Sequence, residues 1–343
     1  MKFLFLGAGA IGTYIGGSLA LAGHPVAYVE QPGPVEILRK NGLHLNIAGE
    51  RRSVFPVAAF QNVAAAMKAG AADVVVIALK SYDTAAVVQS LRAYDGSLPP
   101  ALCLQNGVEN EAALEEVFGR GNVIAGTVTS AVGRGDAGEI TLERKRGVGV
   151  ASGHPLSVPI ATALDSAGLK IRLFPDAAAM KWSKLLTNLL ANASSAILGI
   201  TPAAVFANQQ LFRMEMEMLR ECLHVMRAQR MDTVNLPGTP VRLLAFAIES
   251  LPRALAQPIL FRAVGGGRGG KLPSLYLDLQ SGRGKTEVSW LNGAVARFGE
   301  RLGVPTPVNR RLTVTLEQLA EGRESPEKYR QNPQSLTDAA LSK

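Results

Sequence analysis

Cysteine is almost absent from this chain: two in 343 residues, Cys103 and Cys222, far apart and each among apolar neighbours. No C-x-x-C pair occurs, so neither a disulfide framework nor a zinc–thiolate site has the residues it needs, and a reduced, cytoplasmic protein is the simplest reading. Histidine is equally sparse. His24, His44, His154 and His224 are scattered and fall into no H-E-x-x-H or other ligand pattern, so neither a metal site nor a Ser-His-Asp site is expected. Charged residues make up only 19% against 47% hydrophobic, which is ordinary globular composition and excludes disorder. No block of one charge stands out. The net charge of +8 comes without a basic run interleaved with aromatics, so no nucleic-acid partner is expected. A solvated basic surface, a pyrophosphate cofactor and a carboxylate substrate all fit it. Unbroken hydrophobic runs are missing too. Phe3 to Val29 carries no formal charge and could be read as a signal peptide or a membrane helix, but six glycines and Pro25 interrupt it. Leu185 to Phe212 is also uncharged, yet Asn188, Asn192, Gln209 and Gln210 would be costly in lipid, and no membrane association is expected.

What is present is an alternation. The length indicates two domains. Over the first 175 residues, short apolar runs alternate with helical stretches: Lys2–Leu6, Val26–Val29, Val74–Leu79, Ala101–Leu104 and Val123–Val128 read as strands, with a small-residue helix from Ile11 to Ala22. Continuous runs such as Val74–Leu79 suit strands buried on both faces of a parallel sheet. Ile140–Glu143 and Val148–Ala151 read as antiparallel additions near one edge. The pattern predicts an α/β domain with a doubly wound sheet over 1–175. From 176 to 325 the pattern is helical, with Thr201 and Pro202 as N-cap and first residue of one helix, and an all-α second domain is expected. The polar stretch 326–343 reads as a flexible tail, and Gly265 to Lys271 as a flexible basic loop, either a connector or a lid.

Gly7-Ala8-Gly9-Ala10-Ile11-Gly12 is a G-x-G-x-x-G sequence that follows an apolar strand and opens a helix, the context in which it binds a dinucleotide. Gly7 allows the tight turn, Gly9 lets the backbone approach the pyrophosphate, and Gly12 lets helix and strand pack closely. The helix N-terminus offers N–H groups and partial positive charge to the phosphates. Glu30 ends the second strand, 23 residues after Gly7. An acid there accepts from the ribose hydroxyls of NAD and repels the 2′-phosphate of NADP, so Glu30 favours NADH. Arg39 and Lys40 lie near enough in sequence to reach a phosphate.

Trp182 to Asn192 reads W-S-K-L-L-T-N-L-L-A-N. On a continuous helix, Lys184, Asn188 and Asn192 share one face within about 80°, with Lys181 and Ser195 in the same arc and leucines opposite. Asparagine is a poor helix former, so two of them aligned with a lysine call for a reason other than propensity, though a polar surface stripe has the same spacing.

K-L-x-x-N-x-x-x-N following an α/β domain that opens G-x-G-A-x-G resembles the ketopantoate reductase family. Three further stretches carry the resemblance: Ala78-Leu79-Lys80-Ser81-Tyr82, Leu104-Gln105-Asn106-Gly107-Val108-Glu109, and Thr286-Glu287-Val288 followed by Leu291-Asn292-Gly293. The resemblance implies a Rossmann-type domain followed by an all-α domain like the C-terminal one of 6-phosphogluconate dehydrogenase, serving substrate binding and dimerisation, with a homodimer as one assembly. It implies that NADPH or NADH reduces the 2-keto group of ketopantoate to (R)-pantoate in pantothenate biosynthesis. Lys184 would be the general acid, Asn106 would sit beside the nicotinamide ribose and the reacting carbonyl, and Lys80 would lie near the cofactor. Asn188, Asn192 and Ser274 would hold substrate oxygens, and Glu287 would accept from the substrate hydroxyl. The residues alone leave other readings open: a strand-end surface lysine at Lys80, a tight turn at Asn106-Gly107, a helix cap at Glu287 or at Ser274. The Ser274–Glu287 connection is one residue longer than the usual family spacing, and Val234–Lys271 is longer than typical. Another 2-keto acid, or a β-hydroxy acid, therefore stands as an alternative substrate, and a non-catalytic NAD(H) sensor as a third reading.

Overall fold

The computed structural model describes residues 1–70, 72–94, 97–268 and 272–341, and its two compact units are taken in turn. The first is Met1–Lys181 with Leu236–Thr239, and the second is Trp182–Asn235 with Pro240–Lys343.

In the first unit the strands are β1 (Phe3–Leu6), β2 (Val26–Val29), β3 (Leu43–Ile47), β4 (Glu50–Val54), β5 (Ala58–Phe60), β6 (Val74–Ile77), β7 (Ala101–Cys103), β8 (Val123–Val128), β9 (Ala131–Arg134), β10 (Glu139–Arg144), β11 (Val148–Ala151) and β12 (Ile171–Phe174). The helices are α1 (Ala10–Leu21), α2 (Pro32–Asn41), α3 (Val63–Ala69), α4 (Thr84–Leu91), α5 (Asn110–Phe118) and α6 (Ser157–Ser166). Eight strands form one sheet in the order β12-β11-β8-β7-β6-β1-β2-β5. Its neighbours are parallel except β8 and β11, which run antiparallel. The apolar runs serve both faces. Phe3, Phe5, Val74 and Val76 enter one core, while Leu4, Leu6, Val75 and Ile77 enter the other. That is the period of two expected of a sheet buried on both sides. Chain order reverses at β1, between β2 and β6, and ligands of such sheets bind outside the carboxyl ends of the strands at that point.

The second sheet departs from expectation. β10 does not extend the main sheet. It lies in a four-stranded sheet of order β4-β3-β10-β9, parallel to β3 and antiparallel to β9. Leu43, Leu45 and Ile140 on this sheet are buried, and α1 packs against β3, β9 and β10. The sheet thus covers a helix whose other face lies on the main sheet. β4, Glu-Arg-Arg-Ser-Val, is exposed over its first four residues, which is why it carries no apolar signature.

The second unit is helical. α7 (Ala177–Leu189) begins in the first unit and continues into the second, followed by α8 (Asn192–Leu198), α9 (Pro202–Ala207), α10 (Gln209–Ala228), α11 (Val241–Ser250), α12 (Arg253–Arg268), α13 (Ser274–Gln280), α14 (Asn292–Leu302), α15 (Pro307–Ala320) and α16 (Pro333–Leu341). Thr201 caps α9 as expected, its hydroxyl accepting from Ala204 N at 3.2 Å. α10 is the central element and packs against α9, α11, α14, α15 and α16. Two expectations need correction. Residues 326–341 are not a loose tail: Tyr329 and Leu336 are buried, and Gln331 N donates to Leu198 O at 3.0 Å. Apolar residues spaced among polar ones concealed that packing. Gly265 to Arg268 complete α12 rather than forming a loop, while 269–271 lie outside the described residues.

The stretch holding Lys184, Asn188 and Asn192 is not one helix. α7 ends at Leu189, Ala191 takes a left-handed conformation (φ 49°, ψ 20°), and α8 starts at Asn192. Glu215 of α10, with no exposed surface, holds the break: its carboxylate accepts from Ala191 N at 2.8 Å and from the Ser194 hydroxyl at 2.6 Å. Burial drives this carboxyl up to about 7 from the ordinary 4.5, against the pull of the two hydrogen bonds. The folded state therefore holds the proton more tightly than the unfolded state does. The stabilisation is complete below the ordinary glutamate range and is lost as pH rises through about 7, a difference of about 3 kcal/mol. In Glu215→Gln, whose amide copies the protonated acid, this dependence disappears. The wild-type Tm, measured relative to the variant, is expected to fall between about pH 5 and about pH 8, and a constant difference over that range would refute the assignment.

Candidate active site

The first unit builds a glycine turn between β1 and α1. The chain leaves β1 at Leu6 and turns at Gly7, whose φ of +103° suits glycine and whose Cβ would lie 2.9 Å from Leu79. A Cβ on Gly12 would come within 2.0 Å of the Gly7 carbonyl oxygen, so only glycine lets α1 start this close to β1. Gly9, the N-cap residue, is extended and has no side-chain cap, and a Cβ there would meet nothing within 4 Å. The first-turn N–H groups of Ala10, Ile11 and Gly12 have no carbonyl behind them within the helix. An open space beside Gly9, faced by helix-terminal N–H groups, fits a pyrophosphate. Ala8 lies in the same turn, and its N–H donates to Glu30 Oε1 at 2.8 Å, while Gln31 N donates to Oε2 at 3.0 Å. The Glu30 carboxylate is thus held at the tip of β2, next to the glycine turn. Arg39, a candidate phosphate ligand in the sequence, uses its Nε on Ala59 O of β5 at 2.9 Å.

The turns that follow β6 and β7 carry Lys80 and Asn106, both half-buried. Side chains between them form a connected polar cluster. Ser81 Oγ donates to Asn106 O at 2.9 Å, and Asn110 Nδ2 donates to the same carbonyl at 2.6 Å. Gln105 Nε2 donates to Thr84 Oγ1 at 2.9 Å and to Lys80 O at 3.3 Å, and Thr84 Oγ1 donates to Asn110 Oδ1 at 2.8 Å. Lys181 Nζ reaches Gln105 O at 2.6 Å and pairs with Glu111 at 2.7 Å. The two turns are therefore one unit mechanically.

The second unit holds the remaining candidates. Lys184 and Asn188 lie one turn apart on α7, both half-buried. Asn192, past the break, is buried: Nδ2 donates to Asn188 O at 3.0 Å and to Ser274 Oγ at 3.5 Å, and Oδ1 accepts from Leu275 N at 3.2 Å. Its amide thus joins the end of α7 to the start of α13, where Ser274 is the first helical residue rather than the cap. Glu287 is buried in a short 3-10 turn, Glu287–Trp290, rather than in an α-helix. Thr286 Oγ1 accepts from Val288 N at 3.3 Å, and Asp278 Oδ2 of α13 accepts from Glu287 N at 3.4 Å. The second unit therefore connects Asn188, Asn192 and Ser274, with Glu287 fixed to the same helix α13 through Asp278. An ammonium, amides and a carboxylate of this kind can bind a hydroxy or keto acid and move one proton.

Several participants carried no sequence signal for their roles. Lys181 was visible only as a member of the Lys184 arc. Glu111, in the first turn of α5, has no sequence signal that pairs it with Lys181. Asp278 sits one helical turn beyond Ser274, a spacing that could have paired them. Glu215 lies among methionines in Met-Glu-Met-Glu-Met, where only its place on the apolar face of α10 marks it as buried.

The family described as ketopantoate reductase PanE/ApbA matches residues 3–153, and its C-terminal counterpart matches residues 176–320. A "2-dehydropantoate 2-reductase" of Archaeoglobus fulgidus is 26% identical over 93% of this chain and 97% of its own length. One of Pyrobaculum aerophilum is 30% identical over 71% of this chain and 76% of its own. Among solved structures, a PanE/ApbA family ketopantoate reductase from Ralstonia eutropha JMP134 superposes with a TM-score of 0.80 at 25% identity, covering 95% of this chain and all of its own. With both family models matched and relatives aligned over most of its length, the chain belongs to the ketopantoate reductase family and is an NAD(P)H-dependent oxidoreductase acting on a keto or hydroxyl carbon.

Proposed function

We propose that this chain is a 2-dehydropantoate 2-reductase working in the cytoplasm, where its two free, buried cysteines suit a reducing environment. The observation that carries the reading is the spacing on α7, where Lys184 and Asn188 stand one turn apart with Asn192 hydrogen-bonded to Asn188 O and Ser274. The bound reduced nicotinamide supplies a hydride to the keto carbon. Lys184 polarises the keto oxygen and donates the proton that completes the alcohol. Asn106 orients the reacting carbonyl, and Lys80 adds positive charge near the cofactor. Asn188, Asn192 and Ser274 hold substrate oxygens, with Asn192 also aligning Ser274. Glu287 accepts from the substrate hydroxyl, which selects a hydroxylated keto acid over a plain one. A non-catalytic sensor has no use for a proton donor in this set.

NADH is the favoured cofactor in this reading, because the Glu30 carboxylate is fixed beside the glycine turn and would repel a 2′-phosphate. The assay is NADH and NADPH oxidation with ketopantoate beside a panel of aliphatic and aromatic 2-keto acids. Ketopantoate is expected to give the highest kcat/KM, and a clear preference for another keto acid would reassign the substrate. Lys184→Ala is expected to lower kcat by more than about 10²-fold, and near wild-type kcat would sink the mechanism. Glu30→Ala is expected to shift the kcat/KM ratio towards NADPH by about tenfold, the scale of one lost charge-assisted contact. A strong NADPH preference in the wild type, unchanged by Glu30→Ala, would remove the role given to Glu30.

A further inference from the structure

Lys181 and Glu111 form an ion pair almost shut off from water, their side chains 6% and 19% exposed. Burying an ammonium costs several kcal/mol before any pairing, and an apolar residue of similar volume would fill the space without that cost. A packing role alone therefore does not explain a lysine here. Nζ donates to Gln105 O at 2.6 Å and Gly126 O at 3.4 Å, and stands 2.7 Å from Glu111 Oε1 as an ion pair. Burial opposes the charge, but Glu111, with a smaller contribution from Cys103, outweighs it and holds the Lys181 ammonium above the ordinary lysine value.

The important acceptor is Gln105 O, because it belongs to the peptide group that leads into Asn106. On the other side, Asn106 O is held by Ser81 Oγ and Asn110 Nδ2. Both peptide planes that flank Asn106 are thus pinned, one by a charged donor and one by two neutral donors, and Gly107 leaves the turn at a positive φ of 88°. With its backbone clamped on both sides, the Asn106 side chain has a restricted range of directions. Charge-assisted bonds are about twice as strong as neutral ones, so the Lys181 side is the firmer clamp. We infer that Lys181, paired with Glu111, is a positioning residue that fixes Asn106 for hydride transfer. The inference rests on the reading above that Asn106 lies beside the nicotinamide ribose and the reacting carbonyl.

The test compares wild type, Lys181→Met, Lys181→Arg and the double variant Lys181→Met/Glu111→Leu, which removes both charges and guards against misfolding caused by a lone buried carboxylate. Three quantities are read: steady-state kinetics with the primary isotope effect of deuterated cofactor, reduced-dinucleotide binding by nicotinamide fluorescence, and amide hydrogen exchange over residues 104–111. In Lys181→Met and the double variant, kcat is expected to fall by about 10- to 100-fold, the cost of misplacing a reacting group by about an ångström. KM for the keto acid and Kd for the cofactor should stay within about threefold, less than 1 kcal/mol, and the isotope effect should rise. Lys181→Arg, which keeps the charge, should recover part of kcat. Exchange over 104–111 should quicken by about tenfold as the clamp is lost, while Gly7 to Gly12 stays protected as in wild type. Wild-type kcat and isotope effect in a folded Lys181→Met would overturn the inference. So would a loss appearing only in Tm, or unchanged exchange over 104–111. If the wild type reduces no keto acid, the proposed reaction fails, and exchange alone then decides whether Lys181 clamps the turn.

Discussion

Helix α1 meets the end of β1 at a distance that tolerates no side chain, and the first unit is arranged around that approach. The limit is steric. A Cβ on Gly12 would sit 2.0 Å from the Gly7 carbonyl oxygen, one on Gly16 would sit 2.3 Å from the Tyr28 hydroxyl, and one on Gly17 would sit 2.7 Å from Leu45. Glycine is a poor helix former, so three glycines on one helix oppose its formation locally and are retained for close packing. The gain is that the α1 N-terminus is held at the carboxyl edge of the sheet, where chain order reverses. The second sheet follows from the same constraint: a helix pressed this closely on β1 and β2 needs a cover on its outer side, and β3 and β10 supply it with Leu43, Leu45 and Ile140.

The parts that were legible in the sequence are those whose chemistry is local. Val74 to Ile77 needs no partner to read as a doubly buried strand, and Gly7 to Gly12 needs only the strand before and the helix after. Thr201-Pro202 specifies a helix start by itself. What the sequence concealed depends on a distant partner. β4 is a strand because β3 pairs with it, although its own residues are mostly charged. The stop at Leu189 has no proline or glycine to announce it: Leu190 and Ala191 are ordinary helix formers, and the break is held by a carboxylate 24 positions away. The same applies to the site. Lys184, Asn188 and Glu287 were visible through a family pattern, whereas Lys181 and Asp278 gain meaning only when their acceptors and donors are known.

Two buried acids share one principle. Glu215 serves Ala191 N and Ser194 at the start of α8. Glu221 of α10 accepts from Val308 N and Asn309 N at 2.9 Å each and from Asn309 Nδ2 at 2.7 Å, at the start of α15. Each meets backbone or amide groups at a point where the chain changes direction and intrahelical partners run out. A water molecule could satisfy such groups on the surface, but it would leave the direction of the chain adjustable. A buried carboxylate satisfies them in one geometry, at the cost of a raised pKa where burial dominates, as in Glu215 and Glu221.

The connection between Ser274 and Glu287 can be weighed on the same terms. The connection contains Gly282 and Gly284, at φ of 66° and 68°, and residues 281–285 are exposed. Its ends are not free to follow it. Ser274 is tied to Asn192, and the Glu287 turn is held by Asp278 Oδ2 on its N–H and by the Thr286 hydroxyl on Val288 N. A solvent-facing turn that glycine lets fold back joins the two ends, and both anchored ends keep their partners. Glu287, for which we propose the hydroxyl-accepting role, is thus placed by α13 and its own turn rather than by the length of the connection.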